Sequence, residues 1–194
     1  MINPRPPAAV ISGNTEVSQS IADALFGALG VIAGSQGTMN NVIWGNDRFQ
    51  NYETIGGGTG AGPGFAGADA VQSHMTNTRM TDPEVLERRF PVRLEEVSIR
   101  EGSGGEGRWA GGNGMRRTLR FLSDVTVTLL SLHRRLPPLG AQGGADGALG
   151  QNSLVLPDGQ EQPLKGCDEV AAPAGSALLM LTPGGGGWGR VGRG

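Results

Sequence analysis

From residue 17 onward, apolar side chains return at helical intervals: Val17, Ile21, Leu25, Leu29 and Ile32. Asn14 or Thr15 can cap the first turn, and Glu16 there suits the helix dipole. Gly30 or Gly34 can end the helix, and its apolar stripe reads as a core face. Residues 35–81 lose this periodicity, although Val42–Trp44 and Phe49–Thr54 read as short strands. Seven glycines then fall within residues 56–67. With few side chains to pack, that run reads as a mobile loop. A second, short helix is predicted to start at Thr81-Asp82-Pro83-Glu84, where Thr81 and Glu84 fit a capping box and Pro83 fits the first turn.

Beyond Phe90 the period changes to two. Val92 and Leu94 alternate in one phase and Val97 and Ile99 in the other, which predicts a bulge near Glu95–Glu96. Met115 to Phe121, Val125 to Leu129, Leu154–Leu156, Val170–Ala172 and Ala177–Leu181 continue the strand pattern. Pro157-Asp158-Gly159 makes a hairpin turn. The chain therefore reads as α+β. Residues 1–90 form a helix and polar glycine-loop region, and residues 91–194 a β-rich, mainly antiparallel region, both as parts of one larger unit.

Composition sharpens this picture in one respect. The chain holds 35 glycines in 194 residues, about two and a half times the usual share, without a collagen period. Net charge is −2, and no basic stripe with interleaved aromatics is present, which argues against nucleic acid as a partner. No apolar run approaches the roughly 20 residues of a membrane span, so the cytoplasm is the default location. Cys167 is the only cysteine, which excludes a disulfide framework within the chain.

Candidate chemistry is sparse. Gly62–Gly67 and Gly102–Gly107 both fit G-x-G-x-x-G, but neither lies between a strand and a long helix, as dinucleotide binding requires. Lys165 is the only lysine and is followed by Gly166, so no phosphate-binding P-loop exists. The two histidines, His74 and His133, form no short metal motif. His133 reads as structural or solvated. His74 opens the polar run His74-Met75-Thr76-Asn77-Thr78-Arg79 and could contact substrate or shuttle a proton. Glu53, beside Tyr52, could serve as an acid or base, or as a hydrogen-bonded structural carboxylate. Asn40 and Asn41 offer amide donors and acceptors, or simply build a turn.

Several segments, in order and at matching spacing, carry a resemblance. They are Gly13–Gln19, Ala33–Asn41, Tyr52–Gly58, His74–Glu87, Gly102–Trp109 and the terminal Thr182-Pro183-Gly184-Gly185-Gly186-Gly187-Trp188-Gly189. The set is similar to the carboxy-terminal part of the B subunit in the hydantoinase B/5-oxoprolinase family. That resemblance implies an enzyme that couples ATP hydrolysis to opening of a cyclic amide; related members carboxylate ketones. It implies ATP and a divalent metal bound outside this segment. The nucleotide would sit on an A-like partner subunit, and the metal in the missing amino-terminal half of B. The chain is then expected to be inactive alone and to work in a hetero-oligomer, or to be a non-catalytic assembly module. Among the polar candidates of this segment, His74 and Glu53 are expected to serve catalysis. Asn40, Asn41, Tyr52, Asn77 and Arg79 are expected to bind substrate.

Overall fold

The computed structural model describes residues 16–192; the proposed cap at Asn14 or Thr15 and the proline-rich residues 1–9 lie outside them. Helix α1 (Glu16–Leu29) leads into two short strands, β1 (Asn41–Gly45) and β2 (Gln50–Thr54). Helix α2 (Pro83–Arg89) precedes β3 (Val92–Arg100), β4 (Gly114–Phe121) and β5 (Val125–Leu130). Strands β6 (Gln151–Val155), β7 (Glu161–Leu164), β8 (Cys167–Ala172) and β9 (Ala177–Leu181) follow. The fold is α+β, as the periodicities predict.

The strands form two antiparallel sheets, ordered β2-β1-β5-β8 and β3-β4-β9-β6-β7. The first sheet joins β1 to β5 and so crosses the division expected at residue 90. Alternation sends Val42, Trp44, Val127 and Leu129 of that sheet into one core with Leu119, Phe121, Leu154, Leu178 and Met180 of the other. Trp44 anchors this core, with Phe90 edge-on at 5.2 Å and Phe121 at 5.8 Å. The bulge is present: the β3–β4 register shifts between Leu94 and Glu96, which re-phases Val97 and Ile99. Gly159, at φ +86°, closes the β6–β7 hairpin. One cap differs from expectation. Asp82, not Thr81, caps α2, its carboxylate accepting from the Glu84 N–H at 3.0 Å, because Pro83 occupies the first helical position behind it.

Two larger expectations are overturned. The stripe Ile21, Leu25 and Leu29 is not core; it faces solvent, and α1 turns its polar side inward. The glycine run is not a free loop either. Residues 56–62 are almost wholly buried, and only the tip at 63–66 is exposed. They belong to a bundle of extended segments wrapped around residues 183–189. Along that central segment, successive N–H groups address different neighbours in rotation. Gly184 and Gly187 donate to Ala148 and Ala145, while Gly185 and Trp188 donate to Gly112 and Trp109, with Gly186 donating to Gly34 between them. A repeat of three is that of a polyproline II helix, whose backbone groups must find partners outside their own segment. Glycine is required because backbone meets backbone: a Cβ at Gly58 would strike the Gly112 carbonyl, and one at Gly185 the Thr59 carbonyl.

Candidate functional site

The inward stripe of α1 is Glu16, Gln19, Asp23 and Phe26, spaced to fall on one face. It packs on the segment 33–41 and on Ser73-His74. Asp23 Oδ1 accepts from the Ser35 N–H at 3.0 Å and lies 2.9 Å from His74 Nε2. Both side chains are mostly buried, at 9% and 14% exposure. The His74 ring also rests against Phe26, with centroids 5.1 Å apart. Gln19 ties down the same loop by donating to the Ser73 carbonyl at 2.6 Å. His74 has φ +54°, a left-handed backbone that a non-glycine residue adopts at a cost, and these contacts hold it there.

His133 also approaches Asp23, over Gly37. Its Nδ1 donates to the Leu136 carbonyl at 2.8 Å, and Nε2 faces Gly37. A Cβ on Gly37 would sit 2.5 Å from His133 Nε2 and 3.0 Å from Asp23 Oδ2. Both groups therefore converge over that glycine. Both histidines of the chain lie beside one carboxylate, which neither local motif nor spacing predicted.

A second polar group lies further along the stripe. Glu16 Oε1 accepts from the Met39 N–H at 2.9 Å and from Asn41 Nδ2 at 2.6 Å. Burial raises the Glu16 carboxyl pKa above its ordinary value, against hydrogen bonds from Thr38, Met39 and Asn41 and the charge of Arg134. Asn41 Oδ1 accepts from the Tyr52 hydroxyl at 2.6 Å, and the Tyr52 pKa is raised by burial and by Glu16. Asn40, at φ +46°, is fully buried: it donates to Gln36 Oε1 at 2.8 Å and accepts from Arg134 at 2.9 Å. Arg134 also reaches Asn152 at 2.8 Å, and desolvation lowers its pKa to about 10. Asn40 and Asn41 thus join a buried polar layer beneath α1 with their amide groups bonded inside the fold, and the half-exposed Tyr52 reaches that layer through its hydroxyl.

Glu53 is elsewhere. It faces the core between the sheets, where Arg117 donates to Oε2 at 2.6 Å and the Thr81 N–H reaches Oε1 at 3.3 Å. With both oxygens engaged and 4% exposure, it has no open position for a proton acceptor's work. Asn77 and Arg79 are exposed beyond His74. Among the described residues no group of three His, Cys, Asp or Glu could hold a metal ion. Two open depressions, of about 490 and 380 Å³, lie around the β1–β2 turn and include none of the expected site residues.

Asp23, Gln36 and Arg134 were missed by sequence reasoning. One signal was available: Glu16, Gln19 and Asp23 repeat at the same helical spacing as the apolar stripe, on the opposite side.

A chain of this fold, with a polar layer built between a helix and glycine-packed segments, belongs to the hydantoinase B/oxoprolinase family, whose sequence profile matches residues 1–191. The chain is 47% identical to 5-oxoprolinase 1 of Arabidopsis thaliana across 97% of its own length and 15% of that relative's. The solved structure of an ATP-dependent caprolactamase from Pseudomonas jessenii superposes with a TM-score of 0.78 at 26% identity, covering 97% of this chain and 36% of that one. An acetone carboxylase structure shares the fold at a TM-score of 0.68 and 20% identity, covering 81% of this chain and 26% of that one. The chain thus spans only a small part of the curated relative and about a third of the caprolactamase chain. No helix among the described residues is long and apolar enough to cross a membrane.

Proposed function

We propose that this chain is the carboxy-terminal part of an ATP-dependent cyclic-amide hydrolase, and that it contributes the Asp23–His74 pair to the site where the ring opens. The observation that carries the reading is the joint one of kinship and geometry. Close similarity to a 5-oxoprolinase covers nearly the whole chain, and within it one imidazole is held on a carboxylate in a strained backbone. Two relatives act on lactams by name, which favours amide opening over ketone carboxylation; the acetone carboxylase likeness speaks to fold alone.

An unstrained amide is stabilised by resonance, and ATP would supply the activation that opening it requires. The described residues offer no metal cluster, and the sequence has no P-loop. Both groups are assigned to the remaining polypeptide and to an A-like partner subunit. What this chain supplies is proton placement. When the C–N bond breaks, the ring nitrogen takes up the electron pair and needs a proton. His74, its Nε2–H held by Asp23, would give that proton from Nδ1, in the manner of an imidazole oriented by a carboxylate. Asn77 and Arg79, exposed a short way along the same segment, would meet the substrate's carbonyl or carboxylate. Glu53 is assigned a structural role, because Arg117 and Thr81 occupy it.

The test compares two proteins. Arabidopsis 5-oxoprolinase 1 carrying residues 16–192 of this chain in place of its matched segment should hydrolyse ATP in the presence of 5-oxoproline. The isolated chain should not. Lactam-dependent ATP turnover by the homogeneous isolated chain would refute the reading of a partial enzyme.

A further inference from the structure

Helix α1 is amphipathic in the reverse sense. Its two charged residues, Glu16 and Asp23, bond inward, while Ile21, Leu25 and Leu29 stand 62%, 57% and 64% exposed on the opposite side. The apolar surface continues beyond the helix. Val31 is 46% exposed, and Leu136 and Leu139 are 75% and 64% exposed. These two belong to the loop whose Leu139 carbonyl accepts the Gly34 N–H at 2.8 Å, which places that loop beside the segment leaving α1. The space above the helix is open: nothing lies within 4 Å of a Cβ placed at Gly27 or Gly30. An apolar surface of several large side chains marks an interaction site, although the exposed Arg135 is the chain neighbour of Leu136.

Three occupants can be weighed. A lipid surface is disfavoured because α1 has no Lys or Arg, the residues with which an interfacial helix meets anionic headgroups. A second copy of the chain, paired through α1, would bury one stripe of three large residues on each side. That falls well short of the roughly 1,200 Å² of a stable interface. The third occupant is the polypeptide that surrounds this fold in its relatives. In the caprolactamase the matched segment is 36% of a single chain, so a larger length of polypeptide adjoins this fold there. We propose that the outer face of α1, together with Leu136 and Leu139, is the seat of the remaining polypeptide of a hydantoinase B-type subunit, which meets it with an uncharged, apolar surface of its own. This rests on family membership and not on the ring-opening chemistry. It also gives α1 a second purpose. The helix that carries Asp23 on its inner side is clamped from outside, so docking and the position of His74 share one element.

The experiment is carbene footprinting with peptide-resolved mass spectrometry, run on the isolated chain and on the Arabidopsis chimera described above. In the isolated chain, Ile21, Leu25 and Leu29 should label heavily at all protein concentrations, with sedimentation showing a monomer. In the chimera their labelling should fall at least tenfold, while the exposed turn at 63–66 labels alike in both. Equal labelling of the three residues in both proteins overturns the proposal. So does a stable dimer of the isolated chain whose α1 is protected and whose Leu25→Lys variant is monomeric, since a second copy would then be the occupant. Should the chimera not fold, the same footprint on the unmodified Arabidopsis enzyme, read at the positions aligned with Ile21, Leu25 and Leu29, decides the matter by the same criterion. Protection without ring opening would count against the proposed function and leave the docking assignment standing.

Discussion

At the scale of residues, carboxylates of similar appearance in the sequence have been given different tasks by burial and partner. Glu53 is matched by Arg117 in a buried site, and removing either partner would leave a lone buried charge. Glu16 is buried without a cation in contact; Oε2 has no hydrogen-bond partner, and Arg134 acts only through space. A carboxyl pKa raised on folding means that the folded state holds its proton more tightly than the unfolded chain does. The contribution of Glu16 to stability is therefore greatest in acid and is lost as pH rises from the unfolded value of about 4.5 through the raised folded value. Glu16→Gln keeps an oxygen for Met39 and Asn41 and removes the buried charge. Its urea-unfolding free energy should exceed that of the parent at pH 7, and the difference should shrink toward pH 4. A difference that stays constant over this range would show that Glu16 does not titrate as the burial implies. Asp23, by contrast, shares its oxygens with Ser35, His74 and the space over Gly37, and this is the arrangement suited to orienting an imidazole.

At the scale of elements, the strands were legible and the glycine segments were not. Strict alternation located β3, β4, β5 and β9, and even the bulge, because a sheet with one buried face imposes a period of two. The period of α1 is legible too, but the pattern points its apolar stripe at the core, where the structure places a polar stripe. Sequence pattern fixes which residues share a face, not which neighbour that face meets. The glycine runs escaped for another reason. Their order comes from backbone hydrogen bonds between segments distant in the chain, and a side-chain pattern cannot report those. Amide exchange should therefore separate the two parts of what reads as one loop. Gly58, Ala61 and Gly185–Gly187 should exchange slowly, and Gly64 rapidly. Gly185→Ala drives a methyl group into the Thr59 carbonyl, where backbone must move. It should cost at least about 3 kcal/mol, the upper end for overpacking. Fast exchange at Gly185–Gly187, or a Gly185→Ala variant of unchanged stability, would contradict the bundle.

At the scale of the whole molecule, two sheets and a glycine-backbone bundle make a rigid base, and α1 lies on it with a polar layer beneath and an apolar face above. The family resemblance was legible because its residues are the glycines and polar groups that this base requires: Thr182 donates to the Gly56 carbonyl at 2.8 Å, and Asn40 donates to Gln36 Oε1 at 2.8 Å. The candidate site was legible only in part. His74 stood out as a lone histidine in a polar run, but the residue that orients it is 51 positions away, on a helix face that looked unremarkable. The central claim is that Asp23 and His74 act as one unit in ring opening. The most direct measurement is a double-mutant cycle on 5-oxoproline-dependent ATP turnover in the Arabidopsis chimera, with His74→Ala, Asp23→Asn and both together. Thermal unfolding of each variant serves as the control for α1 anchoring. His74→Ala should lower kcat by about 10²-fold or more, the lower end for general acid–base catalysis. Asp23→Asn should shift the pH profile as well as the rate, and the double variant should be little worse than His74→Ala alone. Independent, multiplying losses, or near-normal turnover in a folded His74→Ala variant, would contradict the claim.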